Sequence, residues 1–369
     1  MSASPPKGPV PSPGVIDLAP YVGGESAIAG MERAIKLSSN ENPFGPSPRA
    51  MDAYARLATE LHRYPDGGCR SLRRALAETW KLPAERIVCG AGSDELIALL
   101  TRAYLGPGDE ALYSEHEFLM YPIATESTGA RAIKVEETNL TADVDALLAA
   151  VTPATKMVFL ANPNNPTGTY LPAAEVRRLR DRMPANMLLV LDAAYAEFVA
   201  RPDYTSGAEL VEADGNVVML RTFSKIYGLG GLRLGWAFCP VAVADVLNRL
   251  RGPFNVSSAA QAAGAAALAD VAFVAKVRAH VETWREWTAA EARKLGFEVT
   301  PGIGNFLLIH FPAQAGRNAA AADAFLKSRG VIARRMERYG LPGGLRVTIG
   351  REDEMRAFVA ALADFVRQR

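Results

Sequence analysis

Lys225 follows Ser224 and Thr222, and a glycine-rich run, Gly228-Leu229-Gly230-Gly231, leads from it to Arg233. Lysine is the side chain that forms a Schiff base with an aldehyde cofactor. Two hydroxyls and a guanidinium in the same stretch are the donors that a phosphate on such a cofactor needs. A lysine taken alone is usually a surface residue, so the reading depends on what else the chain can bring to Lys225.

Several other segments carry residues of the right type. Asp192 ends the apolar run Leu189-Val190-Leu191, and a carboxylate there needs a partner. The pyridinium nitrogen of pyridoxal phosphate is such a partner, and the ion pair strengthens the ring as an electron sink. Tyr195 is then within reach of the cofactor's phenolic oxygen. The alternative for Asp192 is a cap on the next helix. Asn165 lies in Asn162-Pro163-Asn164-Asn165-Pro166-Thr167-Gly168, where Asn-Pro pairs signal a turn. That turn either holds an amide at a fixed point or is an ordinary loop. Gly92, Ser93 and Asp94 precede a helical pattern. Their backbone N–H groups would point at an anion, aided by the helix dipole, or serve as a plain cap. Arg346, among the apolar residues of Leu345-Arg346-Val347, is either an edge-strand arginine or a fork that clamps a carboxylate.

Other chemistries are poorly supported. Glu95 stands where a dinucleotide fingerprint after Gly90 needs its third glycine, and Arg233 does the same in the later run. The four histidines, His62, His116, His280 and His310, have no metal-ligand spacing, and no metal site is expected. There is no nucleophile elbow and no P-loop.

The elements that must position these groups follow an alternating pattern. Apolar runs over 86–89, 110–113, 132–135, 156–161, 187–192, 217–221 and 233–238 read as strands, with helical segments between most of them. This predicts an α/β fold with a largely parallel sheet covered on both faces. The candidate groups follow strand ends, where open α/β sheets bind ligands. From about residue 256 an Ala-rich helical stretch runs to about 295 with a break near Asp270. Strands over 305–311 and 344–349 and two helices then make a smaller α+β unit. The expected division is an arm over 1–45, a large domain over 46–255 and a small domain over 256–369, with the Pro- and Ser-rich 1–13 as a flexible start. An apolar fraction of 49% permits a sizeable core, and a net charge of +1 gives no sign of a nucleic-acid or membrane-surface partner. Three scattered cysteines, Cys69, Cys89 and Cys239, suit a reducing cytoplasm. No run reaches the roughly eighteen apolar residues of a membrane span.

Taken together, the segments resemble fold-type I pyridoxal-phosphate aminotransferases, and most of all their histidinol-phosphate aminotransferase branch. The matching motifs are Ser39-Asn40-Glu41-Asn42-Pro43, Arg63-Tyr64-Pro65-Asp66, Ala91-Gly92-Ser93-Asp94-Glu95, Pro163-Asn164-Asn165-Pro166-Thr167-Gly168, Asp192-Ala193-Ala194-Tyr195, Thr222-Phe223-Ser224-Lys225 through Gly231-Leu232-Arg233-Leu234-Gly235, and Leu345-Arg346-Val347-Thr348-Ile349-Gly350. They stand in the family's order along nearly the whole chain.

The resemblance implies a role for each matching residue. Lys225 would bind the cofactor covalently and act as the base at the substrate Cα. Asp192 would pair with the ring nitrogen, and Asn165 and Tyr195 with the ring oxygen. Gly92, Ser93, Asp94, Thr222, Ser224 and Arg233 would surround the phosphate. Tyr64 would reach the phosphate of a neighbouring subunit, so a homodimer with shared sites is expected. Arg346 would clamp the substrate carboxylate and Arg334 its distal group, with Asn40 nearby. Tyr21 lies where the family's arm closes over a partner's site. Phe118 stands where a stacking tyrosine is usual, and it keeps the face but loses the hydroxyl. Ala193 replaces an acidic residue. Burial beside Arg233 is expected to lower the Lys225 pKa. The implied reaction moves an amino group between glutamate and imidazole-acetol phosphate. An aromatic amino-acid aminotransferase of the same fold is the alternative. A phospho-amino-acid decarboxylase and a non-catalytic regulator stand further off, the latter because only about thirty residues precede the motifs.

Overall fold

The computed structural model describes residues 14–368 apart from 213, together with Pro9 and Pro11. The rest of the expected flexible start lies outside the described residues. Seven strands build the larger sheet: β1 Ile87–Gly90, β2 Glu110–Ser114, β3 Arg131–Val135, β4 Thr155–Ala161, β5 Leu188–Asp192, β6 Val217–Thr222 and β7 Gly235–Phe238. Their order is β1-β7-β6-β5-β4-β2-β3. All pairs are parallel except those of β7, which is antiparallel to both neighbours.

Alternation across the pleat explains the continuous apolar runs. In β5, Leu189 and Leu191 enter one core while Leu188 and Val190 enter the core on the opposite face. A strand covered on both sides needs no polar residue until it ends, and Asp192 is where β5 ends.

The expected 233–238 strand begins two residues later, at Gly235. Gly235 crosses so close to the start of the helix Ser93–Tyr104 that a Cβ would press on the Ser93 nitrogen. Arg233 therefore stays outside the strand in a left-handed turn, with φ 52°.

A second, antiparallel sheet contains β8 Glu298–Val299, β9 Phe306–His310, β10 Arg334–Met336 and β11 Leu341–Thr348 in the order β8-β9-β11-β10. β10 escaped the sequence reading because it is short and its two arginines hide any apolar period. The start of β11 was hidden by Pro342-Gly343-Gly344, residues that ordinarily mark turns. Ile35–Lys36 pairs in parallel with Val331–Ile332, which docks the segment before the site onto this unit.

The break near Asp270 separates helices Ser258–Leu268 and Val271–Lys294, which meet at 78°. The Asp270 carboxylate caps the second helix by accepting the Phe273 N–H. Helix Ser258–Leu268 packs on Pro48–Ala55 and Arg70–Trp80, on the large-sheet side. The stretch expected to form the small domain, 256–369, thus opens with a helix that packs against helices of the large-sheet side. Among the described residues no single helix is long and apolar enough to cross a membrane.

Candidate active site

Three neighbouring parallel strands deliver the central groups. β4 runs into the Asn165 turn, β5 ends at Asp192, and β6 runs into Ser224 and Lys225. The register pairs Ala161 with Asp192, and Asp192 with Leu220. All three groups therefore emerge at one level, the carboxyl end of the sheet. They face a cleft of about 370 Å³ that is also lined by Tyr21, Asn40, Ser93, Asp94, Phe118, Tyr195, Thr222, Arg233, Arg334 and Arg346.

The segment after β6 fixes Lys225 by burying its neighbours. Phe223 and Ile226 are fully buried, and Phe223 packs on Tyr227 at 4.8 Å. Each such side chain contributes about 1.5–3 kcal/mol. The Phe223 N–H donates to the Leu234 carbonyl, and the Asn42 amide donates to the Ile226 carbonyl at 2.6 Å. With its flanks anchored, Lys225 turns to the cleft. Its Nζ lies 3.4 Å from the Ser39 carbonyl and 5.8 Å from the Tyr195 ring centre.

Burial pulls the Lys225 pKa down to about 8, and the Arg346 cation adds to the shift. The neighbour is therefore Arg346 and not Arg233 as expected. Arg233 is tied elsewhere, to Asp94 at 3.0 Å. A lysine ordinarily titrates near 10.4, and only its neutral form attacks an aldehyde. Capture of pyridoxal phosphate by the cofactor-free protein is expected to accelerate as pH rises through about 8 and to level off above. A stopped-flow pH series checks this, and a midpoint near 10 would place Lys225 in water.

Asp192 is buried, and burial pushes its carboxyl up to about 6 against two hydrogen bonds that favour the ionised form. These come from the Tyr121 hydroxyl to Oδ2 at 2.8 Å and the Ala194 N–H to Oδ1 at 3.1 Å. Tyr121 was missed in the sequence. It lies in the segment that supplied Phe118, but only the fold shows that it stacks on Phe159 and turns its hydroxyl to Asp192.

The Tyr195 hydroxyl accepts from the Asn40 amide at 2.8 Å, and burial pushes its pKa up to about 12. Asn40 is itself fixed: its N–H donates to the Thr348 hydroxyl and its carbonyl accepts from Asn305. Arg346, 5% exposed, donates through Nη1 to Asn165 Oδ1 and through Nη2 to the Ser38 carbonyl at 2.7 Å. Its Nε has no partner. Arg334, 9% exposed, is the direct register partner of Arg346 on β10 and donates to the Val22 carbonyl at 2.8 Å.

At the other end of the cleft, Gly92 takes φ 90° ahead of the helix Ser93–Tyr104. Its bare Cα leaves room for the Arg233 guanidinium, which a Cβ would meet. Thr222 and Ser224 hydroxyls lie 3.0 Å apart beside it. The free N–H groups of the helix start, two hydroxyls and a guanidinium thus surround one point, a site built for an anion.

Two residues are expected to serve a partner's site rather than their own chain's. Tyr21 sits over its own chain's cleft, edge-on to Phe118 at 6.1 Å, because Arg334 and Arg338 hold the carbonyls of Val22 and Pro20. Tyr64 is not brought to this cleft at all. It is 83% exposed and stacks on Phe254 at 4.8 Å. A larger cleft of about 700 Å³ lies by Tyr170, Arg201 and Arg285, away from Lys225. Size does not locate the chemistry here; the convergence of donors does.

The donor set suits pyridoxal phosphate. Burial disfavours the charge on Asp192, and among the described residues no salt bridge balances it; a protonated ring nitrogen would supply a counter-charge. Arg346 Nε is buried without a hydrogen-bond partner.

Comparison with known proteins shows the family of this chain. Residues 32–362 match the model of the family described as aminotransferase class I and II. A histidinol-phosphate aminotransferase of Paramagnetospirillum magneticum is 58% identical over 97% of this chain and 99% of its own. One from Rhodospirillum rubrum is 57% identical over 97% of each chain. The crystal structure of a histidinol-phosphate aminotransferase from Sinorhizobium meliloti, in complex with pyridoxal-5'-phosphate, superposes with a TM-score of 0.89 at 30% identity, covering 96% of this chain and 97% of that one. A Thermus thermophilus aspartate aminotransferase with maleate shares the fold, with a TM-score of 0.81 at 22% identity over 90% of this chain and 92% of that one. With its lysine, strand-end carboxylate and anion cradle on one fold-type I sheet, the chain belongs to the class I and II aminotransferases, in the histidinol-phosphate aminotransferase family.

Proposed function

We propose that this chain is a histidinol-phosphate aminotransferase of histidine biosynthesis, which moves an amino group between glutamate and imidazole-acetol phosphate. The observation that carries the substrate class is the pair Arg334 and Arg346, two buried guanidiniums side by side on adjacent strands at one cleft. Such a pair suits substrates with anionic groups at both ends, as glutamate has. Histidinol phosphate brings a phosphate in place of a carboxylate, and arginine suits both. Steady-state kinetics with both donors tests the choice. A higher kcat/KM for histidinol phosphate than for phenylalanine is expected, and the reverse order overturns it.

When bound, pyridoxal phosphate supplies an electron sink for the pair left at the substrate Cα. The chain does the rest. Lys225 Nζ takes the Cα proton, for which its lowered pKa suits it. Asp192 would keep the ring nitrogen protonated. Asn165 and Tyr195 would hold the ring oxygen, and Phe118 would cover one face of the ring. Ser93 and Asp94 would give backbone N–H groups to the phosphate, joined by Thr222, Ser224 and Arg233. Engaging the phosphate would draw Arg233 away from Asp94; both are half exposed, so little stability is lost.

Arg346 holds the α-carboxylate. Arg346→Lys keeps the charge and loses the fork. It is expected to raise the KM for glutamate by tenfold to a hundredfold, the worth of a charged hydrogen bond at about 1.5–3 kcal/mol. An unchanged KM would remove Arg346 from the carboxylate site.

Tyr64 completes the phosphate site of a second copy in this reading. Its exposure, with Leu61, Tyr54 and Phe254 also exposed nearby, supports an interface there. Sedimentation equilibrium showing a monomer at assay concentration would exclude it. A cytoplasmic location goes with three free, buried cysteines. We place the domain seam at Asp270.

A further inference from the structure

We propose that Glu117 is a positioning residue that holds Phe118 and Asn165 at a fixed separation across the cofactor's place. Glu117 is 2% exposed and lies between β2 and the cleft-lining Phe118. Its two oxygens serve two strand ends. Oε2 accepts the N–H of Ser114, the last residue of β2, at 3.1 Å. Oε1 accepts the N–H of Ala161, the last residue of β4, at 2.8 Å. The chain then runs from Ala161 directly into the Asn165 turn. A second tie lies alongside, where the Asn164 amide donates to the His116 carbonyl at 3.2 Å. The loop that carries Phe118 and the turn that carries Asn165 are therefore cross-linked twice at their roots.

The choice of residue is informative. A carboxylate here is buried near two other acids, Glu137 and Asp192, an arrangement that disfavours the charge. A loop needing only packing would be served better by an apolar side chain. What the carboxylate alone provides is one acceptor oxygen for each N–H. Glutamine has a single acceptor, and its NH2 group would face an N–H donor.

Measurements on the cofactor-free and the loaded forms of Glu117→Gln test the role. In the cofactor-free protein, hydrogen exchange over 114–118 and 161–165 is expected to quicken about tenfold or more, the equivalent of one hydrogen bond to a charged group. In the loaded protein, the Kd for pyridoxal phosphate is expected to rise by a similar factor. The visible circular-dichroism band of the bound cofactor should fall, because that band reports how rigidly the ring is held. Leu247→Ala, a core change on the helix Val241–Leu250, is the comparison. It lowers Tm without moving either readout. Glu117→Gln behaving like Leu247→Ala would overturn the proposal. If Glu117→Gln does not fold, Asn164→Ala cuts the second tie alone and is expected to move both readouts in smaller measure; wild-type exchange and spectrum in that variant overturn the proposal. The inference rests on Phe118 and Asn165 flanking the ring. Faster exchange with an unchanged band and Kd would break that placement and the positioning role with it, while the cross-link itself would stand.

Discussion

Lys225→Ala is expected to abolish the visible absorbance of the lysine-bound cofactor and to lower kcat/KM for glutamate by about 10⁴-fold or more. The change would remove both the proposed covalent attachment and a base whose pKa burial brings down to about 8. Lys225→Arg separates chemistry from charge: arginine keeps a cation at the site but neither forms the bond nor gives up its proton. Both variants should fold, because the anchors of the segment are Phe223 and Ile226 rather than the lysine. Absorbance spectra and single-turnover rates read the outcome. Activity within tenfold of the parent in either variant would remove Lys225 from the reaction.

Asp192→Asn carries the second largest effect. The substituted amide still meets Tyr121 and the Ala194 N–H, so the change in Tm is expected to be modest. What would disappear is the charge proposed to face the ring nitrogen. Removing one partner of a buried ion pair costs about 3–5 kcal/mol, which corresponds to roughly 10²- to nearly 10⁴-fold in rate. The fall should be in kcat, with a weaker hold on the cofactor. An unchanged kcat would show that Asp192 does not govern the ring. Tyr121 belongs to the same device, since its hydroxyl favours the ionised carboxylate against a burial that pushes it up to about 6.

Much of this arrangement was legible in the chain because it is local. Strand ends are marked where continuous apolar runs meet a polar residue, as at Asp192. Asn-Pro pairs mark the Asn165 turn. Glycines and hydroxyls mark the anion cradle at Gly92, Ser93, Thr222 and Ser224. The break near Asp270 was visible in the sequence, and the structure shows the Asp270 cap behind it. Each of these signals lies within a few residues of the feature it predicts. β10 and the start of β11 were illegible because their arginines, proline and glycines contradict strand patterning, and pairing with a neighbour overrides propensity there.

By itself, then, the sequence determined the alternating α/β architecture and the groups that stand at its strand ends, since apolar period and turn chemistry act over short spans. Only the tertiary structure decided which of those groups become neighbours. It set Arg346 rather than Arg233 beside Lys225, placed Arg334 in register with Arg346, turned Tyr121 onto Asp192, and laid Tyr21 over its own chain's cleft. These relations join segments far apart in the chain. Burial and through-space charge, which set the pKa values of Lys225 and Asp192, exist only after the segments have packed.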